Sequence, residues 1–138
     1  MTYLGLDLGT KTLGISKSSG VIASFYKTLR HNEDYDYLIR ELSSIIEDEK
    51  VDKIVLGYPK NMNNTESDMA RIVLDFKKKL EDAFHIEVIL EDERLTSKIS
   101  NDLLISGNVS RMKRKKVVDG VASVVILESF LDRRNNGK

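Results

Sequence analysis

An aspartate stands alone in the apolar run Tyr3-Leu4-Gly5-Leu6-Asp7-Leu8-Gly9. An ionised carboxylate in such a strand is costly to bury unpartnered, so a metal ion or a phosphate-bearing ligand is its natural counterpart. Three further places hold residues suited to chemistry. Glu91-Asp92-Glu93-Arg94 crowds acids and a cation at the end of another apolar run, and Asp119 is the one acid between Val117 and Leu127. Arg111-Met112-Lys113-Arg114-Lys115-Lys116 puts five cations into six residues. Each has a plain structural explanation: a solvated turn acid, a salt bridge beside a helix cap on Thr96 or Ser97, a helix N-terminal acid stabilised by about 0.3–1 kcal/mol, and a solvated charged loop. What sets these groups apart is whether the fold can gather them.

Composition narrows the chemistry. The chain has 138 residues, 41% of them hydrophobic, which is the size and makeup of one globular domain over 1–138, with 133–138 reading as a flexible tail. Its 22 cations and 22 anions cancel, so only local clustering bears on nucleic acid. No cysteine is present, which removes disulfides, thiolate zinc sites and thiol nucleophiles, and His31 and His85 are the only imidazoles. A metal here must therefore be a hard cation held by oxygen ligands. No signal pattern or long apolar run appears, so no membrane partner is expected and the protein reads as cytoplasmic.

The elements that must position these groups follow from periodicity. Leu4, Leu6 and Leu8 alternate with Tyr3, Gly5 and Asp7, a strand with Asp7 on the face that Gly5 clears. A Gly-Thr-Lys turn leads to a strand over Leu13–Lys17, and Ser18-Ser19-Gly20 to a third over Val21–Thr28, an antiparallel meander. Asn32 as N-cap, with Glu33, Asp34 and Asp36 behind it, opens a helix through Leu38, Leu42, Ile45 and Ile46 to about Lys50. Asp52–Tyr58 is a strand stopped by Pro59, and Asn61 to Asn64 a polar loop. A capping box at Thr65–Asp68 starts a helix to about Ala83, Ile86–Leu90 is a strand, and a short helix runs from about Ser97 to Ile105. The last helix spans Val117–Leu131 behind the basic run, which is expected to form a mobile loop. This order implies a sheet that is antiparallel on one side and parallel on the other. Its first, fourth and fifth strands would bring Asp7, the Gly57–Asn63 loop and the Asp92-Glu93 turn to one edge, with Asp119 able to join them.

The order matches the ribonuclease H-like fold, an α/β architecture with a mixed five-stranded sheet flanked by helices and an acid on its first strand. Four motifs narrow the match: Gly5-Leu6-Asp7-Leu8-Gly9-Thr10-Lys11-Thr12-Leu13-Gly14-Ile15-Ser16, Leu56-Gly57-Tyr58-Pro59, Asp92-Glu93-Arg94-Leu95-Thr96-Ser97 and Val118-Asp119-Gly120-Val121-Ala122. In this order and spacing they resemble the YqgF/RuvX family over residues 3 to 131. That family is described as Holliday junction resolvase-like and as the nuclease that trims the 5′ end of pre-16S rRNA. The resemblance implies a nuclease with Asp7, Asp92, Glu93 and Asp119 as its catalytic acids. It also implies two Mg²⁺ or Mn²⁺ ions on Asp7, Glu93 and Asp119, and as partner a nucleic acid, pre-rRNA or branched DNA, reached in a pre-ribosomal particle in the rRNA case.

The chemistry agrees. With no histidine at hand, two cations about 4 Å apart can activate water and neutralise the leaving oxygen. Lys11, Tyr58, Arg94 and the cations Arg111, Lys113, Arg114, Lys115 and Lys116 are the candidates to hold substrate. Two other classes share features. An actin-type ATPase also has an Asp-x-Gly-Thr loop on its first strand, but needs a second Asp-x-Gly that this chain lacks. A non-catalytic nucleic-acid-binding module would gain nothing from acids facing phosphates.

Overall fold

The computed structural model describes residues 1–59, 68–92 and 111–136, with the side chains of residues 92, 111–121 and 136 left aside. Along the chain run β1 (Tyr3–Leu8), β2 (Thr12–Ser18), β3 (Ala23–Arg30), α1 (Tyr35–Glu49), β4 (Lys53–Tyr58), α2 (Asp68–Phe84), β5 (Glu87–Asp92) and α3 (Arg111–Asn136). The sheet order is β3-β2-β1-β4-β5. β1, β2 and β3 form the antiparallel meander, and β4 and β5 continue parallel to β1. The expected helix over 97–105 lies outside the described residues, as does most of the Thr65–Asp68 capping box.

Alternation on β1 feeds two cores. Leu4, Leu6 and Leu8 join Ile54 and Leu56 of β4, Leu38, Leu42 and Ile45 of α1, and Val73, Phe76 and Leu80 of α2. The opposite face is covered by α3, whose Ile126, Leu127 and Leu131 pack with Tyr3, Ala23 and Val55. Each such side chain removed from water contributes about 1.5–3 kcal/mol, so the central strand is clamped between two layers. Among the described residues no helix is long and apolar enough to cross a membrane.

Three elements have bounds that differ from expectation. Asn32 and Glu33 have φ of 28° and 64°, so the helix cannot begin there. Asp34 is the N-cap of α1, its carboxylate accepting the Tyr37 N–H at 3.0 Å. The third strand starts at Ala23 rather than Val21 and extends to Arg30. The largest change concerns α3: Arg111, Lys113, Arg114, Lys115 and Lys116 lie in its opening turns and form no loop. It also continues to Asn136 instead of fraying at 133, because Arg133 pairs with Glu91 at 2.7 Å and the Asn135 side-chain amide donates to the Gly20 carbonyl at 3.3 Å.

Candidate active site

Asp7 sits near the C-terminal end of the central strand, half-buried, on the face covered by α3. Its cross-strand partner on β2 is Gly14. On the other side Leu6 pairs with Leu56, which puts Gly57 of β4 level with Asp7. Gly5 and Gly9 flank it at the same parity along its own strand and the turn that follows. Glycines thus stand around the carboxylate in four directions, though the place of a β-carbon on Gly5 is already taken by Ser16 Oγ, Leu127 Cβ and the Ser123 carbonyl. Among the described residues Asp7 makes no hydrogen bond or ion pair.

Contacts of α3 show how it crosses the central strand. The Ser16 hydroxyl donates to the Ser123 carbonyl at 2.7 Å, and a β-carbon on Gly5 would lie 3.0 Å from that same oxygen and 2.9 Å from Leu127 Cβ. Further along, Phe130 meets the Tyr3 ring at 5.7 Å and Arg134 lies 5.4 Å from it. As α3 advances β1 recedes, so the two run antiparallel. Asp119 precedes Ser123 by one turn, about 6 Å along the axis, and Asp7 follows Gly5 by about 6.7 Å. The α3 turn that carries Asp119 therefore lies toward the Asp7 end of β1. Asp119 also lies roughly two turns inside α3, too deep for the macrodipole to account for an acid there.

At β5 the register pairs Gly57 with Glu91 and Tyr58 with Asp92. Glu91 is thus the β5 acid on the row of Asp7 and Gly57. It is buried, 2% exposed, and held by Arg133. Asp92 stands one residue beyond that row. The Asp92-Glu93 motif begins one residue later than Glu91, whose parity relative to Leu90 is the sequence signal for its face. Glu93 and Arg94 lie outside the described residues. Tyr58 is half-buried against the core shared with α1 and α2, and Lys11 is exposed on the turn after Asp7.

That turn is held from behind by His31. The Gly9 N–H donates to the Thr12 carbonyl at 2.8 Å, and the His31 N–H to the Lys11 carbonyl at 3.0 Å. His31 Nδ1 accepts the Glu33 N–H at 3.0 Å, so its proton sits on Nε2, which donates to the Gly9 carbonyl at 3.0 Å. With both nitrogens engaged and the residue 3% exposed, His31 braces the turn and does not act as a base. Among the described residues two titrations are shifted, at Lys17 and Tyr35. Lys17 is raised chiefly by its hydrogen bond to Glu49, and Tyr35 is raised by burial and then by the charge on Glu33.

A divalent cation fits what surrounds Asp7. The donor is a carboxylate oxygen with no protein partner among the described residues, and Gly9 and Gly14 beside it carry no side chain to crowd an ion with its waters. The described side chains hold no cluster of three His, Cys, Asp or Glu that could bind a metal. A full ligand set would need acids beyond those described side chains.

A central acid-bearing strand in a β3-β2-β1-β4-β5 sheet, crossed by a C-terminal helix, defines a ribonuclease H-like domain. Its likeness to a solved T. thermophilus RuvC in complex with a Holliday junction substrate supports this, with a TM-score of 0.62 at 10% identity over 99% of this chain and 96% of that one. A ROK hexokinase from Thermus thermophilus aligns over 70% of this chain but only 35% of its own, with a TM-score of 0.50 at 19% identity, and shares part of the fold alone. The family model described as "RuvX: Holliday junction resolvase" matches residues 1–133, and the chain belongs to that family. A Bacillus subtilis protein named "Putative pre-16S rRNA nuclease" is 47% identical, covering 98% of this chain and all of that one. A Geobacillus relative of the same name is 46% identical over 97% of this chain.

Proposed function

We propose that this protein is a metal-dependent nuclease that hydrolyses phosphodiester bonds of structured nucleic acid, in the 5′-end processing of pre-16S rRNA. The observation that carries this is Asp7: a half-buried carboxylate without a described partner, flanked by glycines on the central strand, on the face that α3 covers. Asp7, Glu93 and Asp119 would hold two Mg²⁺ or Mn²⁺ ions, with Asp92 in the same acidic group. When bound, such ions lower the pKa of an attacking water and neutralise charge on the leaving oxygen. The rigid strand fixes Asp7 between its neighbours, and the His31-braced turn fixes the backbone just beyond it. The glycines let a phosphate approach the sheet closely. Lys11 at the turn and the cations in the opening turns of α3 supply positive charge to hold a polyanion over a site that is otherwise acidic.

The names of the curated relatives favour pre-rRNA, which would place the activity in the cytoplasm, on a pre-ribosomal particle. The description of the family model favours a second substrate, a branched DNA junction. Both are tested by giving purified protein end-labelled pre-16S rRNA and a four-way DNA junction, in Mg²⁺, Mn²⁺ or chelator, beside Asp7→Asn. Cleavage at the mature 5′ end that needs metal and Asp7 is the expected result. Symmetric cleavage of the junction alone would favour resolution. Full activity in chelator would reject the metal-dependent reading.

A further inference from the structure

The geometry points to the outer edge of β3 as a seat for a single-stranded polynucleotide segment that reaches the Asp7 site past Arg30 and Lys11. The inference rests on the nuclease reading for what happens at Asp7, but it concerns binding alone. β3 ends the sheet, and among the described residues no strand pairs with its outer side. Its eight residues include Lys27 and Arg30 and no acid. Both cations are exposed, as is Lys11, and none of the three makes an ion pair among the described residues. Lys17 on β2 contrasts with them, being bound to Glu49 and lying 5.4 Å from the Tyr26 ring.

Between the cations and the far end of the strand stands Phe25, 52% exposed. Its register partner is Ser16, which hydrogen-bonds to α3, so Phe25 shares the sheet face of Asp7. Arg30, opposite Thr12, shares that face too. Lys27, opposite Ile15, lies on the other face, so the track on the Asp7 face leads from Phe25 to Arg30. An exposed aromatic ring on one track with a cation is the combination on which bases stack while phosphates are neutralised. Phe25 to Arg30 spans about 17 Å of strand, the reach of a few nucleotides. The track runs into the site because Thr12 and Lys11 belong to the hydrogen-bonded turn that follows Asp7. Glu33 and Asp34 bound it on the α1 side, where Asp34 is occupied as the helix cap.

A protein strand is the other natural occupant of a sheet edge, and two features oppose it. A β-bulge breaks the β2–β3 register between Ile15 and Ser16, next to Phe25, and Lys27 projects from the edge. Both are devices that keep edge strands from pairing. A second copy would also bring like charges together, since β3 carries cations only.

The test measures binding by full-length protein in chelator, where no cleavage occurs, to a labelled single-stranded RNA, the same RNA as a blunt duplex, and a four-way DNA junction. Phe25→Ala should weaken single-strand binding about tenfold and leave the duplex unaffected. Phe25→Trp should restore it. Arg30→Ala should reduce the slope of log K against log salt by about 0.7 on the single strand, and Lys27→Ala, on the other sheet face, should leave it unchanged. Equal losses on single strand and duplex, or no loss with Phe25→Ala, would overturn the inference. So would a wild-type dimer that Phe25→Ala splits, since the edge would then be an interface between copies. If the protein cleaves nothing in metal but Phe25→Ala still shows the selective loss, the nuclease reading falls and the single-strand seat stands.

Discussion

Gly5→Ala tests the packing that brings Asp119 toward Asp7. The new β-carbon would collide with Ser16 Oγ and lie 2.9 Å from Leu127 Cβ and 3.0 Å from the Ser123 carbonyl oxygen. Ser16 can rotate away, but it then gives up its 2.7 Å bond to Ser123 inside the protein. Leu127 Cβ and the Ser123 carbonyl belong to the helix framework, so relieving those contacts requires α3 to lift. Overpacking of this kind costs about 2 kcal/mol, and a buried hydroxyl left without its acceptor about 1–2 kcal/mol more. The smaller unfolded-state entropy of alanine returns about 0.5 kcal/mol. The net loss is about 3 kcal/mol, which for a chain of this length lowers Tm by about 10 °C. Because the lifted turn is next to that of Asp119, activity at a temperature where the variant stays folded should fall by about tenfold or more. Thermal denaturation by circular dichroism and single-turnover cleavage of labelled RNA in Mn²⁺ read the two effects. Adding Ser16→Ala should recover part of the stability, since it removes one of the three clashes. A Gly5→Ala variant with Tm within about 2 °C of wild type and an unchanged cleavage rate would refute the close contact of α3 with β1.

Asp7→Asn should lose cleavage yet keep its stability in chelator within about 0.5 kcal/mol, because no described interaction is removed. Saturating Mn²⁺ should raise the Tm of wild type and not of the variant. Arg133→Ala removes the cation beside a carboxylate whose side chain is only 3% exposed and should cost about 1–3 kcal/mol in urea denaturation. Glu91→Gln should cost less, since it leaves Arg133 in water; equal losses would argue against the buried acid as the sensitive partner. Replacing Lys113, Arg114 and Lys115 with alanine should weaken all nucleic acids alike and lower the single-strand salt slope by about 2, while the rate at saturating substrate changes less. An unchanged slope would place the binding surface elsewhere.

Local periodicity made much of this legible. The alternation of Tyr3, Gly5 and Asp7 against Leu4, Leu6 and Leu8 follows from strand geometry alone, so the face of Asp7 was known before the sheet was. Apolar spacing and turn residues likewise marked the strands, α1 and α2. Tertiary structure decided what sits beside Asp7. Gly14 and Gly57 are distant in sequence, and only the strand register places them on its row. The same register makes Glu91 the β5 acid on that row, a difference of one residue that flips a side chain to the other face. His31 read as an isolated histidine and became a brace only when β3 was laid beside the turn. For α3, a run of like charges suggested a loop because neighbouring cations repel along a helix. Yet lysine, arginine and methionine are good helix formers, and propagation from a segment already packed on the sheet needs no new nucleus. The sequence therefore determined which residues could do chemistry, and long-range packing decided which of them meet.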